Sequence, residues 1–397
     1  MPSPFEGRRL WIAGIGGAGM SAYALLAHAW GADVTGWDRV RTPYTEPLER
    51  ADISVVYSSD PPPPPPDAEV YVSTAFAGRV AGRPRADLLA ELVSLRPAIV
   101  VAGAHGKTTT SAMIAFCLDR LGLDPSFLIG GWIPQLGGNA RAGSGWLVVE
   151  GDESDRSLVS LRPRIAVLLN IDLDHHTTFA SRAEVEALYE DWLAHVPAVV
   201  RAADLAPLAV DLAVPGQHNR RNAAAAVAAL ELAGIARADA ERVIVDFRGA
   251  GRRLETCGEA GGVTVVDDYA HHPGEVDAAI AAVRDRTDGR VLVLFQPHLF
   301  SRTRHLAYEL ATSLARADVV CVADVYPARE EPLAGVNGKL IVNALAERRP
   351  GMAIGWTPGV EAGARLLASY ARAGDTVLTL GAGDVDRAVP ILLEDLR

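Results

Sequence analysis

The run Gly103-Ala104-His105-Gly106-Lys107-Thr108-Thr109 places two glycines, one cation and two hydroxyls within a few positions. These are the materials of a phosphate-binding loop. Backbone N–H groups at a helix mouth point at the anion, a lysine reaches the β- and γ-phosphates, and a threonine hydroxyl holds Mg2+. The usual opening glycine of such a loop is replaced by Val101. The alternative is a tight turn with an exposed lysine. Lys107 and Lys339 are the two lysines of the chain, so chemistry that needs a lysine must use one of them. Lys107 is expected to face solvent until a triphosphate arrives.

A phosphate loop needs a further oxygen ligand for its metal, and Glu150 closes the apolar run Leu147-Val148-Val149. A carboxylate there points into the crevice beyond the strand ends, and Mg2+ prefers oxygen donors. The next such run ends in Asp172, Asp174, His175 and His176, one of which could serve a second cation; the other reading is a polar surface pair of histidines. Near the N-terminus, Gly14, Gly16 and Gly19 have the G-x-G-x-x-G spacing, with Asp38 at the end of the following apolar run. Alone, this spacing suggests a nicotinamide dinucleotide site. A ligand-free, close-packed glycine turn is the alternative. Further on, polar residues gather at Asp267–Pro273, Phe295–Thr303, Asp324–Glu330 and Gly381–Asp384. Arg302 in the second of these clusters is suited to an anionic transition state.

The elements that must position these residues follow from periodicity. Short β-branched runs alternate with longer Ala/Leu-rich segments, the pattern of parallel α/β units. "RLWIAGIGG" predicts a strand entering a glycine turn, and "MSAYALLAHAWGAD" a helix closed by Gly31. "AIVVAGA" predicts the strand before the phosphate loop, and "TTTSAMIAFCLDRLG" the helix after it. "NRRNAAAAVAALELAG" predicts a helix with Gly234 just past its end. Pro61–Pro66 form an exposed, stiff spacer. Three α/β units are expected, at 1–97, 98–246 and 247–397.

Composition narrows the function classes. The 397 residues are 49% hydrophobic, enough for two or three packed cores. A formal charge of −11 argues against nucleic acid or an anionic membrane held by bulk charge. No run predicts a signal peptide or membrane span, and three scattered cysteines form neither a disulfide framework nor a metal pair. The expectation is a soluble cytoplasmic protein.

The motifs "GIGGAGMS", "VSTA", "AGAHGKTTT", "EGDESD", "NIDLDHH", "GQHNRRNA", "DDYAHHPGE", "FQPHLFSRT" and "GAGD", in this order, resemble those of the Mur ligase family over nearly the whole chain. The resemblance implies three domains: a Rossmann-like UDP-sugar domain, a central P-loop ATPase and a Rossmann-like C-terminal ligase domain. It implies an ATP-dependent ligase of peptidoglycan precursor synthesis that joins L-alanine to the carboxylate of UDP-N-acetylmuramate through an acyl phosphate. The glycine loop is then read as a UDP pyrophosphate site, with Gly14, Gly16, Gly17, Gly19, Met20, Ser21, Asp38, Ser73 and Thr74 on the substrate. Gly103 to Thr109 would bind ATP, with Lys107 on the transferring phosphoryl. Thr108 and Glu150 would hold Mg2+ or Mn2+, and His175 a second ion. His218, Asn219 and Asn222 match the motif near the adenine. His272, His298 and Arg302 match catalytic positions near the reacting groups. The segment from His176 to Gly216 is shorter than in the family, as if several strands of the central domain were deleted. Two alternatives stay open: a ligase of the same fold that adds a recycled murein tripeptide, and a non-catalytic nucleotide-binding relative. An oligomer is compatible with either.

Overall fold

The structure, a computed structural model, describes residues 4–173, 178–328 and 330–397. Its strands form three separate sheets, each of mixed α/β construction. The first unit of chain runs β1 (Arg9–Ala13), α1 (Ala18–Ala29), β2 (Asp33–Asp38), α2 (Thr45–Arg50), β3 (Ser54–Tyr57), β4 (Glu69–Val72), β5 (Arg83–Pro84) and α3 (Arg85–Ser94). The strands are parallel in the order β3-β2-β1-β4-β5. The chain changes direction of winding between β1 and β4, so a crevice opens beyond their carboxyl ends.

The second sheet is built from β6 (Ala98–Ala102), α4 (Lys107–Arg120), β7 (Ser126–Ile133), β8 (Gly138–Arg141), β9 (Leu147–Glu150), β10 (Ile165–Leu168), α5 (Arg182–Leu193) and β11 (Ala198–Arg201), followed by α6 (Gln217–Leu232) and α7 (Arg237–Ile244). Its order is β11-β10-β6-β9-β7-β8, parallel except for the β7/β8 hairpin. The sequence reading did not include that hairpin. β6 is Ala-Ile-Val-Val-Ala and every one of its residues is buried, as expected of a central parallel strand covered on both faces. Between β11 and α6 the chain makes one short helical turn at Ala202–Asp204 and then an irregular path, with no strand.

The third sheet comprises β12 (Glu255–Ala260), β13 (Val263–Asp268), α8 (Pro273–Arg284), β14 (Val291–Phe295), α9 (Phe300–Leu314), β15 (Val319–Val322), α10 (Lys339–Arg348), β16 (Ala353–Trp356), α11 (Val360–Tyr370), β17 (Thr376–Leu380) and α12 (Ala388–Asp395). Its order is β12-β13-β17-β14-β15-β16, with β12 antiparallel at one edge. Alternation along β14 feeds two apolar layers. Val291, Val293 and Phe295 pack with residues of α8, α9 and α10, whereas Leu292 and Leu294 pack with residues of α11 and α12.

The chain falls into two compact units rather than one per sheet. The first two sheets share a unit with Arg182–Asp211 and Arg221–Phe247; the other unit takes Leu173–Ser181, Leu212–Arg220 and Arg248–Arg397. Within the first unit, Arg85 at the start of α3 reaches Asp155 at 2.9 Å and Asp152 at 3.4 Å beyond the end of β9, joining the two sheets. Among the described residues, no helix is long and apolar enough to cross a membrane.

Trp192 fastens α5 to the second sheet. It is fully buried, and its indole Nε1–H donates to the Leu161 carbonyl at 3.1 Å. Trp192→Ala should therefore lower the unfolding free energy by about 4 kcal/mol, the sum of a large cavity and a stranded carbonyl. Denaturant titration checks this, and a loss below about 1 kcal/mol would contradict the role given to the side chain.

Candidate active site

The phosphate loop lies where the sequence puts it, between β6 and α4. Gly103 has φ +133° and Gly106 has φ +84°, conformations that L side chains rarely adopt. A Cβ on Gly106 would stand 2.7 Å from the Asn222 Oδ1, so the residue also permits close approach of buried Asn222. Asn170, just past β10, braces the loop. Its Oδ1 accepts from the His105 backbone N–H at 2.8 Å, and its Nδ2 donates to the His105 carbonyl at 2.9 Å. The backbone N–H of Ala104 donates to the Asn170 carbonyl at 3.4 Å. The His105 ring lies 3.3 Å from the Asp172 carboxylate. Thr108 and Thr109 are both buried in the first turn of α4.

Thr108 and Glu150 meet as expected. The Thr108 hydroxyl donates to Glu150 Oε2 at 3.1 Å, and the Gly130 N–H donates to Glu150 Oε1 at 2.6 Å. A hydroxyl beside a carboxylate is the hard-oxygen donor set that Mg2+ takes. Among the described residues there is no cluster of three or more His, Cys, Asp or Glu with metal-site geometry. His175, together with Asp174, His176 and Thr177, lies outside the described residues.

Lys107 does not face solvent, contrary to expectation. Its side chain is 18% exposed and lies against Glu153, whose own side chain is 4% exposed. The ammonium donates to the Gly103 carbonyl at 2.7 Å and to Glu153 Oε2 at 3.0 Å. Burial pulls the lysine pKa down, but Glu153, Asp152 and Glu150 outweigh it and hold the group above its ordinary value. Asp152 is half-buried; desolvation pushes its carboxyl up, but Lys107 and the Ser154 backbone N–H outweigh this and hold it below the usual range. Sequence spacing gives no sign that Glu153 is the partner of Lys107.

In the first sheet, the glycine loop and the end of β4 occupy the crevice at the change of winding. A Cβ on Gly14 would fall 2.3 Å from Ser73 Oγ, and Ser73 N–H donates to the Ala13 carbonyl at 3.0 Å. The Ser73 hydroxyl is buried and has no hydrogen-bond partner among the described residues, and Thr74 opens the short turn after it. Gly17 caps α1 without a side chain, which leaves that helix mouth to its backbone N–H groups. Gly19 lies within 4 Å of the Arg85 guanidinium, allowing for a Cβ, and Met20 and Ser21 are buried in the first turn. Asp38 is also buried, and it accepts from the N–H groups of Gly16 at 2.8 Å and Arg39 at 2.7 Å. Its carboxylate therefore shapes the loop directly.

The third sheet gathers a histidine cluster at its strand ends. Arg302 Nη1 is 3.1 Å from His298 Nδ1, and the His298 ring stacks on Tyr326 with centroids 5.8 Å apart. His271, which sequence reasoning passed over, has its ring 5.7 Å from that of His298. His272 is instead the N-cap of α8, where its N–H donates to the Glu275 carboxylate at 3.3 Å. Leu299, between His298 and Arg302, has φ +70°, a strained value for a branched side chain. His218 is half-buried, and burial holds its pKa below the ordinary value against the pull of Glu275. Buried Asn219 donates to the Pro215 carbonyl at 2.6 Å.

Three α/β sheets, with a glycine loop in the first and a lysine-bearing loop at a helix mouth in the second, place the chain among α/β proteins with loops of the nucleotide-binding type. Residues 11–96 match the family described as Mur ligase family, catalytic domain, and residues 252–383 match Mur ligase, glutamate ligase domain. The chain belongs to the Mur ligase family. It is 38% identical over 448 residues to the UDP-N-acetylmuramate–L-alanine ligase of Streptomyces coelicolor, covering 96% of each chain. It is 36% identical over 453 residues to the enzyme of that name from Pelotomaculum thermopropionicum, covering 98% of each. Both alignments are longer than this chain, so the relatives carry insertions that it lacks. The crystal structure of the Thermotoga maritima UDP-N-acetylmuramate–alanine ligase superposes with TM-score 0.79 at 24% identity, over 97% of this chain and 98% of that one. A murein peptide ligase from Psychrobacter arcticus gives TM-score 0.67 at 24% identity, over 98% and 99%.

Asp268, at the end of β13, offers a test of the electrostatics in the third sheet. It is buried and accepts backbone N–H bonds from Leu254 and Ala270, both at 2.7 Å. Burial pushes its carboxyl up to about 6. A folded pKa above the free value of about 3.9 means that the group's stabilising contribution is full below that value and is lost as pH rises through about 6. Carbon-detected NMR should find the Asp268 carboxyl titrating near the upper figure, and a midpoint at or below about 4 would contradict the assigned environment.

Proposed function

We propose that the protein is an ATP-dependent ligase that joins L-alanine to the carboxylate of UDP-N-acetylmuramate in peptidoglycan precursor synthesis, working in the cytoplasm. One observation carries the reading. The phosphate loop, with Lys107, Thr108 and Glu150 in contact range, shares a compact unit with the glycine loop and Ser73, in a chain that aligns from end to end with alanine-adding ligases. In this reading the three domains divide at 1–97, 98–246 and 247–397. The α1 mouth and Ser73 hold the UDP pyrophosphate, and Gly103–Thr109 hold ATP, with Asn222 beside the loop; His218 and Asn219 are assigned to the adenine by their motif alone.

Transfer of the γ-phosphoryl to the muramoyl carboxylate breaks its bond to the β–γ bridging oxygen, releases ADP and gives an acyl phosphate. The alanine amine attacks its carbonyl carbon, loses a proton, and phosphate leaves. Lys107 orients and neutralises the moving phosphoryl. Thr108 and Glu150 would hold Mg2+, whose charge would offset that of the phosphates. His298 and Arg302 are assigned to stabilise negative charge on the acyl centre, and His271 to orient His298. Catalysis of this kind rests on positioning and charge neutralisation. His175 is assigned a second metal ion through its motif.

Purified protein with ATP, Mg2+ and UDP-N-acetylmuramate should release phosphate when L-alanine is added and not when the murein tripeptide replaces it. Release with the tripeptide alone would move the assignment to the peptide-recycling ligase, and no release with either would favour a non-catalytic relative. Glu150→Gln should raise the Mg2+ concentration for half-maximal rate by about tenfold or more, because an amide is a far weaker ligand than a carboxylate. An unchanged Mg2+ dependence would remove Glu150 from the metal site.

A further inference from the structure

Half-buried Lys107 and buried Glu153 form an ion pair that the reaction chemistry does not explain. A lysine that serves a phosphoryl group needs no carboxylate beside it, and Glu150 already serves Thr108. Glu153 is the fixed member of the pair. It sits in a loop held by the Ser154 N–H on Asp152 at 2.9 Å, the Ser157 N–H on Asp155 at 3.0 Å, and Arg85 on Asp155 and Asp152. Buried Tyr189 of α5 packs by it, and its hydroxyl is pushed up first by burial and then by the Glu153 charge. Lys107 is the mobile member: a long unbranched stem bearing a point charge.

We propose that Glu153 is the positioning residue for Lys107: it holds the ammonium, and a bound triphosphate must take the ammonium over. The proposal rests on the reading of the loop as an ATP site. Two effects then act in one direction. Glu153 competes with the phosphates for the cation, and its own charge repels them. Removing that charge must tighten nucleotide binding, whereas removing a mere scaffold would loosen it. The pair keeps the loop closed on itself until an anion of high charge arrives, so adventitious anions are poorly held.

Binding of a non-hydrolysable ATP analogue with Mg2+, read by calorimetry, tests this. Glu153→Gln should tighten it about fivefold, close to 1 kcal/mol by RT ln 5. The same change made on top of Lys107→Ala should have a smaller effect, since only the repulsion remains. Thermal melting without nucleotide gives a second readout. Lys107→Ala takes the cation away from a buried carboxylate and should melt lower than the unaltered protein, and the double variant Lys107→Ala/Glu153→Gln should recover part of that loss. Equal or weaker binding by Glu153→Gln, or a double variant that melts no higher than Lys107→Ala, would overturn the proposal. Failure of the unaltered protein to bind the analogue would overturn the ATP reading itself, while the melting comparison needs no nucleotide and judges the pair alone.

Discussion

A buried ammonium needs a counter-charge, and the arrangement around Lys107 follows from that constraint. An unpaired lysine at this depth would lose its proton or draw in water. Here the Gly103 carbonyl and the Glu153 carboxylate meet it instead. Glu153 can play that part only because the loop after β9 is stiff, and Arg85, a residue of the first sheet's helix α3, clamps that loop through Asp152 and Asp155. The geometry of the phosphate loop is therefore tied, through four charged side chains, to the sheet that carries the glycine loop.

The same rule of placement holds in each sheet. Parallel strands buried on both faces leave only their ends free to carry polar groups. The glycine loop and Ser73 follow β1 and β4; the phosphate loop and Asn170 follow β6 and β10, and Glu150 ends β9; Asp268 ends β13, and Gln296 and Gly381 follow β14 and β17. Strength of packing and placement of chemistry thus come from one architecture. The irregular path from β11 to α6, part of the stretch that the sequence marks as short, carries none of the phosphate-loop contacts described.

Much of this was legible in the sequence, for identifiable reasons. Strand, glycine loop and helix in succession placed Lys107 and Thr108, and an acid closing an apolar run placed Glu150. The family motifs placed the fold and its three sheets. What was not legible depends on pairs far apart in the chain. Asn170 braces the loop from 65 positions away, and Glu153 meets Lys107 across 46. Spacing cannot show such contacts, so Lys107 was wrongly expected in solvent. The β7/β8 hairpin was hidden by its glycines, which weaken strand signals, yet Gly130 within it donates to Glu150. Of the adjacent histidines after β13, periodicity could not say which faces His298. The backbone turns His272 into a helix cap and sends His271 to the cluster. Gaps in the apolar pattern marked changes of sheet but not the compact units, because side chains such as Arg85 join neighbouring sheets.

The central claim is that the phosphate loop delivers the terminal phosphoryl of ATP to a carboxylate, not to water. Oxygen-18 placed in the muramoyl carboxylate of UDP-N-acetylmuramate tests this directly. If an acyl phosphate forms, the phosphate released in the presence of L-alanine carries one labelled oxygen, detected by mass spectrometry or by the isotope shift in phosphorus NMR. Phosphate released without label, with both labelled oxygens still on the sugar nucleotide, would contradict the account.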